Sequence, residues 1–281
     1  MTDITHDPRS NIAAGRVDVK QYWKAKGIFK DGVAIWPHAL LFSHQLNLRT
    51  GSAVTNSGIG TLDGPRLAPR SGAAQQLVVF LHGYGADGND LIEIGRAWQE
   101  MLPHAAFGSP HAPEPCGQAP VGRQWFALTF RDPNERWVGV NKAAPVLERF
   151  LDAELARHKL PPSALALVGF SQGTMMALHI GLRRPSPPVA IVGYSGLLVL
   201  PPDLNAEKFA AEIKSRPPIL LVHGDRDDLI PAQALFKAAQ GLAALDIPVE
   251  WHLSAGLGHG IDGEGLRHGG EFLARRFKAK R

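Results

Sequence analysis

The sequence predicts an α/β fold, a doubly wound and mostly parallel sheet with helices on both faces. Three observations lead there. Four short segments, Leu77–Leu81, Leu165–Val168, Val189–Val192 and Ile219–Val222, are continuously apolar, as expected of strands buried on both sides of a parallel sheet. Between them, apolar residues recur at helical spacing: Leu147, Phe150, Leu151 and Leu155; Met175, Leu178, His179 and Leu182; Leu235, Ala238, Ala239 and Leu242. Pro231 opens the third of these helices near its first turn. The alternation continues from Gln76 towards the C-terminus without an internal repeat.

Composition bounds the function classes. The chain has 281 residues, 44% of them hydrophobic and 20% charged, which supports a sizeable core and excludes a wholly disordered chain. The formal net charge is +4 and the pI near 9.3. The dense basic run, Arg275, Arg276, Lys278, Lys280 and Arg281, has only Phe277 interleaved. It reads as a solvated last helical turn complementing the helix dipole, so nucleic acid is not an expected partner. A single cysteine, Cys116, excludes an internal disulfide framework and reads as a bystander thiol. The start, Met1 to Asp7, lacks a basic region and an apolar core, and Val33–Phe42 is broken by Pro37 and His38. A cytoplasmic protein without a secretory signal is expected.

Residues 1–64 read as an N-terminal extension and linker, with Gly, Ser, Thr and Asn crowded between Thr50 and Gly60. Trp23, Phe29, Ile35 and Trp36 suggest partial order. Trp23, Phe29, Trp36, Leu40, Leu41 and Phe42, beside Lys20, Lys24, Lys26 and Lys30, also admit a membrane-surface anchor. An appendage of no catalytic consequence is the preferred expectation, with a cap over a pocket, packing on the core or contact with a second subunit of a homodimer as the alternatives. Residues 65–281 form the expected catalytic domain. Within it, Phe107 to Ala144 is rich in Pro, Gly and aromatics, including Trp125, Phe126, Phe130 and Trp137, and reads as a long functional loop.

The sharpest motif is Gly169-Phe170-Ser171-Gln172-Gly173, directly after one apolar run and before a helix. A serine on so tight a strand-to-helix turn needs small neighbours two residues to either side, because adjacent backbone crowds them. The turn exposes the hydroxyl and aims helix N–H groups at the reacting centre, which marks Ser171 as a nucleophile. Such a serine needs a base, and the base an orienting acid. His259, between Gly258 and Gly260, follows the run Val249–Leu253. Asp225, Asp227 and Asp228 compete for the acid after Ile219–Val222; Asp227 is preferred, and the others read as turn or helix-cap residues.

Gly83-Tyr84-Gly85-Ala86-Asp87-Gly88 fits a dinucleotide fingerprint, but the next strand ends without an acid, at Gly108-Ser109-Pro110. Asp87 and Asp90 would also repel a pyrophosphate. The loop serves better as an oxyanion site, with N–H donors from Tyr84 and Gln172. His82 and His223 read as loop hydrogen-bonding residues, His252 as a strand residue and His268 as a helix residue. No H-E-x-x-H or Cys/His spacing suggests zinc, so neither metal nor cofactor is expected.

Several motifs together, Leu81–Gly88, Gly108–Pro113, Gly122–Phe126, Gly169–Gly173, Tyr194–Gly196 and His223–Pro231, resemble the bacterial carboxylesterase/phospholipase family, related to the acyl-protein thioesterases. The resemblance spans roughly residues 62–278 and implies an α/β-hydrolase fold. It puts the family's triad on Ser171, Asp227 and His259, and its oxyanion donors on Tyr84 and Gln172. Members commonly carry Leu where this chain has Tyr84, a difference that a backbone donor tolerates. The resemblance also implies that Gln124-Trp125-Phe126 and Leu197 border the acyl pocket. With Leu128 and Leu198 these side chains suggest an apolar slot, hence a small ester or thioester substrate with a short to medium acyl chain. A carboxylesterase ranks first, ahead of a thioesterase or lysophospholipase. A non-catalytic receptor built on the same fold is the rival from another class.

Overall fold

The computed structural model describes residues 61–119, 121–129, 132, 134–202 and 206–279, together with strands β1 (Phe29–Lys30) and β2 (Val33–Ala34), which pair antiparallel. The readings of Trp23, Ile35, Trp36, Leu40, Leu41, Phe42 and Phe130, and of the Lys280–Arg281 end of the basic run, lie outside those residues.

The remaining elements follow in chain order. They are β3 (Arg66–Leu67), β4 (Gln76–Leu81), α1 (Gly88–Trp98), β5 (Ala105–Gly108), β6 (Glu114–Pro115), β7 (Arg123–Gln124) and α2 (Glu135–His158). Then come β8 (Leu165–Phe170), α3 (Gln172–Arg183), β9 (Ala190–Tyr194), α4 (Ala206–Glu212), β10 (Ile219–Gly224), α5 (Gln233–Ala243), β11 (Val249–Ser254) and α6 (Gly263–Lys278). Seven strands form one sheet in the order β11-β10-β9-β8-β4-β5-β3. All its ladders are parallel except the short edge pairing of β3 with β5.

The apolar runs are continuous because both faces of the sheet are covered. Leu77, Val79 and Leu81 of β4 point into one core with Leu147, Phe150 and Leu151 of α2, Met176 of α3 and Leu235 of α5. Val78 and Phe80 point into the other, with Trp98 of α1 and Phe272 and Leu273 of α6. Phe80 stacks on Phe107 at 6.0 Å and meets Trp98 at 5.8 Å, so truncating it to Ala would cost about 3–5 kcal/mol.

The segment read as a loop up to Ala144 is shorter than expected, because α2 already begins at Glu135 and carries Pro145 inside it. Pro145 and Gly139 hide the helical period. Gly139 is small for a packing reason: a Cβ there would overlap the Phe126 ring. The short antiparallel pair β6–β7 occupies the middle of the former loop.

Candidate active site

Strand β8 delivers Ser171 to the C-terminal edge of the sheet with φ of +52°, a conformation that side chains rarely adopt and that stores strain. It is held there by its own N–H donating to the Tyr194 oxygen at 2.9 Å. The flanking glycines are steric requirements. A Cβ on Gly173 would overlap the Leu81 carbonyl, and one on Gly169 would overlap the backbone of Gly173 and Thr174. The strand-to-helix turn therefore exists only because those two positions are empty.

Ser171, His259 and Asp227 come together from three separate segments. The Ser171 Oγ lies 2.9 Å from His259 Nε2, and His259 Nδ1 lies 2.7 Å from Asp227 Oδ2. This network assigns the proton to Nδ1, leaving Nε2 free to accept from the serine hydroxyl. The Phe170 ring packs on the imidazole at 5.1 Å. The Asp227 side chain is fully buried, and every lone-pair direction has a donor. Oδ1 accepts from the N–H groups of Leu229 and Ile230 at 2.9 and 2.8 Å, and Oδ2 accepts from His259 and, at 3.2 Å, from His223 Nε2. Burial alone would raise this carboxyl, but the bonds from His223, His259 and Ile230 hold it well below the usual carboxylate range. Of the competing acids, Asp225 instead accepts from the Gly256 N–H at 2.6 Å, bracing the loop that leads to His259.

Gln172 is the first residue of α3, where a backbone N–H has no acceptor within the helix. Its side chain is buried and holds the 125–126 segment from both sides, Oε1 accepting from Trp125 N–H at 2.9 Å and Nε2 donating to the Phe126 oxygen at 2.8 Å. Tyr84 stands on the turn after β4, and a Cβ on Gly83 would lie 3.4 Å from that of Ser171. The turn is fastened to β7 by Gly85 N–H to Arg123 O at 2.9 Å and Arg123 N–H to Ala86 O at 2.8 Å. Burial and a hydrogen bond with the Cys116 thiol raise the Tyr84 phenol above its ordinary range. Asp87, read in sequence as hostile to a pyrophosphate, caps α1 in a reciprocal box with Asp90.

Trp125, Phe126 and Leu128 are buried in the core beside α2, while Leu197 is half-buried. An apolar cavity of about 10 Å³ lies beside Leu197, lined also by Leu178, Leu235, Ala238 and His223. Two further residues take part in this arrangement. His223, read in sequence as a loop hydrogen-bonding residue, shares its Nε2–H between Ile230 O, at 2.7 Å, and Asp227. Ser195 has φ of +45° and donates to the Gly260 oxygen at 2.9 Å, next to His259.

A family model described as phospholipase/carboxylesterase matches residues 62–276. The chain belongs to the phospholipase/carboxylesterase family. Similarity to named members is consistent with that membership. The chain is 27% identical over 194 residues to esterase YpfH of Escherichia coli (strain K12), covering 69% of this chain and 80% of that one. It is 30% identical over 189 residues to acyl-protein thioesterase 1 of Saccharomyces cerevisiae, covering 64% and 82% respectively. The crystal structure of esterase PE8 superimposes with a TM-score of 0.72 at 44% identity, covering 77% of this chain and 99% of that one. This phospholipase/carboxylesterase family member is a carboxylic-ester hydrolase with the α/β-hydrolase fold. No helix among the described residues is long and apolar enough to cross a membrane.

Proposed function

We propose that this family member cleaves short- to medium-chain acyl esters through an acyl-enzyme formed on Ser171. The single observation that carries the reading is the unbroken hydrogen-bond chain from Ser171 through His259 to Asp227, at 2.9 and 2.7 Å. Residues 65–281 act as the catalytic domain, with residues 1–64 as an extension of it.

His259 takes the Ser171 proton as Oγ attacks the carbonyl carbon, and Asp227 holds the imidazole in the right tautomer and balances its charge. The backbone N–H groups of Tyr84 and Gln172 receive the oxyanion, each contributing about 3 kcal/mol to the transition state. His259 then protonates the departing alcohol. Water attacks the acyl-enzyme with His259 again as base, releasing the acid and restoring Ser171. The residues assigned to the acyl slot are Trp125, Phe126, Leu128 and Leu197. The substrate is a small molecule, and the location assigned is the cytoplasm, consistent with a lone, buried, free Cys116.

Hydrolysis of p-nitrophenyl esters from acetate to palmitate, by the wild type beside Ser171→Ala, tests the proposal. The expected result is a rate that peaks at short chains and falls by at least about 10⁴-fold in the variant. Substantial hydrolysis by pure Ser171→Ala protein overturns the assignment. The similarity to a yeast acyl-protein thioesterase favours a second reading, thioester cleavage at the same serine; acyl-thioesters in the same assay, with free thiol measured, decide between them.

A further inference from the structure

Away from Ser171, the fold brings together three potential ligands that no sequence motif connects. His252 lies within β11, and Glu264 and His268 lie one turn apart on α6, a spacing that puts both on one helix face. Each offers one ligand atom, and these atoms all lie within 4.8 Å of one another. The two imidazole rings are 4.5 Å apart between centroids, and Glu264 Oε1 is 3.6 Å from His268 Nε2. The Nε2 of His252 is buried and has no hydrogen-bond partner, a state that costs free energy unless something satisfies it.

We propose that His252, Glu264 and His268 bind a divalent transition-metal ion, zinc being the best match, at the root of the loop that carries His259. Two imidazoles and a carboxylate are a known donor set for zinc, with water completing a tetrahedron. Bond lengths near 2.1 Å put tetrahedral ligand atoms about 3.4 Å apart. The Glu264–His268 pair is already at 3.6 Å, and no pair has to close by more than about 1.4 Å from its limit of 4.8 Å. Two features oppose a cation, the N-terminal end of α6 and Arg267, whose guanidinium lies 3.5 Å from His268 Nε2 and 3.9 Å from Glu264. Arg267 is also held by both oxygens of Glu271 at 2.9–3.0 Å, so it keeps an anionic partner when the ion displaces it from His268. Residues 253–263, which join the ligands, include His259. An ion there clips α6 to β11 and braces the base of that loop without taking any group from Ser171, His259 or Asp227.

The test is independent of esterase activity. Zinc is titrated calorimetrically into the full chain after chelator treatment, and thermal melts are recorded across the same concentrations. The expected result is one zinc per chain, with a melting midpoint that rises with zinc concentration. Glu264→Gln and His268→Gln should each weaken binding by about tenfold or more. Glu264 is exposed, so its variant keeps the metal-free midpoint of the wild type and stays informative if the His268 variant is unstable. Cobalt offers a second readout, since tetrahedral coordination gives intense visible absorption that the variants should lose. The absence of saturable binding overturns the proposal. So does a one-site isotherm unchanged in both variants, because the ion then sits elsewhere, for instance at His259.

Discussion

The indole N–H of Trp125 donates to the backbone oxygen of His82 across 3.0 Å, while the backbone N–H of the same residue donates to the Gln172 side chain at 2.9 Å. One residue thus ties the turn that carries Tyr84 to the turn that carries Ser171 and Gln172. His82 extends the brace, its Nδ1–H donating to the Gly83 oxygen at 2.8 Å and its Nε2 accepting from Ala112 N–H at 3.0 Å. Both proposed oxyanion donors are therefore positioned by a core side chain that the sequence had suggested as a pocket wall.

Trp125→Phe keeps most of the buried area and removes only the indole N–H. The expected outcome is a kcat lowered about tenfold with KM within about twofold, since a small shift of preorganised donors acts on the transition state. Steady-state kinetics on a short-chain ester, beside a melt showing the variant folded, check this. A raised KM with kcat unchanged would leave Trp125 with its acyl-slot role alone.

The three acids after β10 should separate cleanly. Asp227→Asn is expected to lower kcat about 10⁴-fold by destabilising the working tautomer of His259. Asp228→Asn should stay within about twofold of wild type. Asp225→Ala should show an intermediate loss, because it removes the acceptor of the Gly256 N–H that braces the His259 loop. Parallel kcat measurements on the three variants decide the order.

Burial pushes the His82 imidazole from its ordinary 6.5 down to about 4. As pH falls, the unfolded chain binds this proton first. Stability from a neutral His82 is full above pH 6.5 and is lost on the way down to about 4, a total of about 3 kcal/mol. His179, buried and pushed down to about 3, acts in the same sense. Denaturant unfolding between pH 7 and 4.5 should show stability falling with acid. His82→Gln should reduce the slope by about one proton, or about 1.4 kcal/mol per pH unit. An unchanged slope would mean that His82 is not held neutral.

Gly173→Ala should destabilise the fold by about 3 kcal/mol or more, since its Cβ would overlap backbone that cannot yield. Gly117→Ala meets nothing within 4 Å and should change stability by about 0.5 kcal/mol at most. Melting the two variants side by side measures the steric demand of the turn directly.

The alternation of strands and helices was legible because it is written locally. Val78 and Val79 face opposite cores, and a residue pair that buries both sides must be apolar at both positions. The turn at Ser171 was legible for the same reason, as its glycines are dictated by backbone only a few residues away, with the neighbouring strand's Leu81 closing over it. The start of α2 was not legible. Gly139 and Pro145 are poor helix residues, and their places are set by Phe126 and by tertiary packing that overrides propensity.

The sequence by itself determined the layered architecture and the sharp turn bearing Ser171, because each rests on periodicity or short-range sterics. Only the tertiary structure decided that Asp227, among three acids within four residues, meets His259. It alone decided that Gln172 grips Trp125, and that His252 reaches His268. Those relationships join segments far apart along the chain, and their distances follow from how sheet, helices and loops pack rather than from any spacing in the sequence.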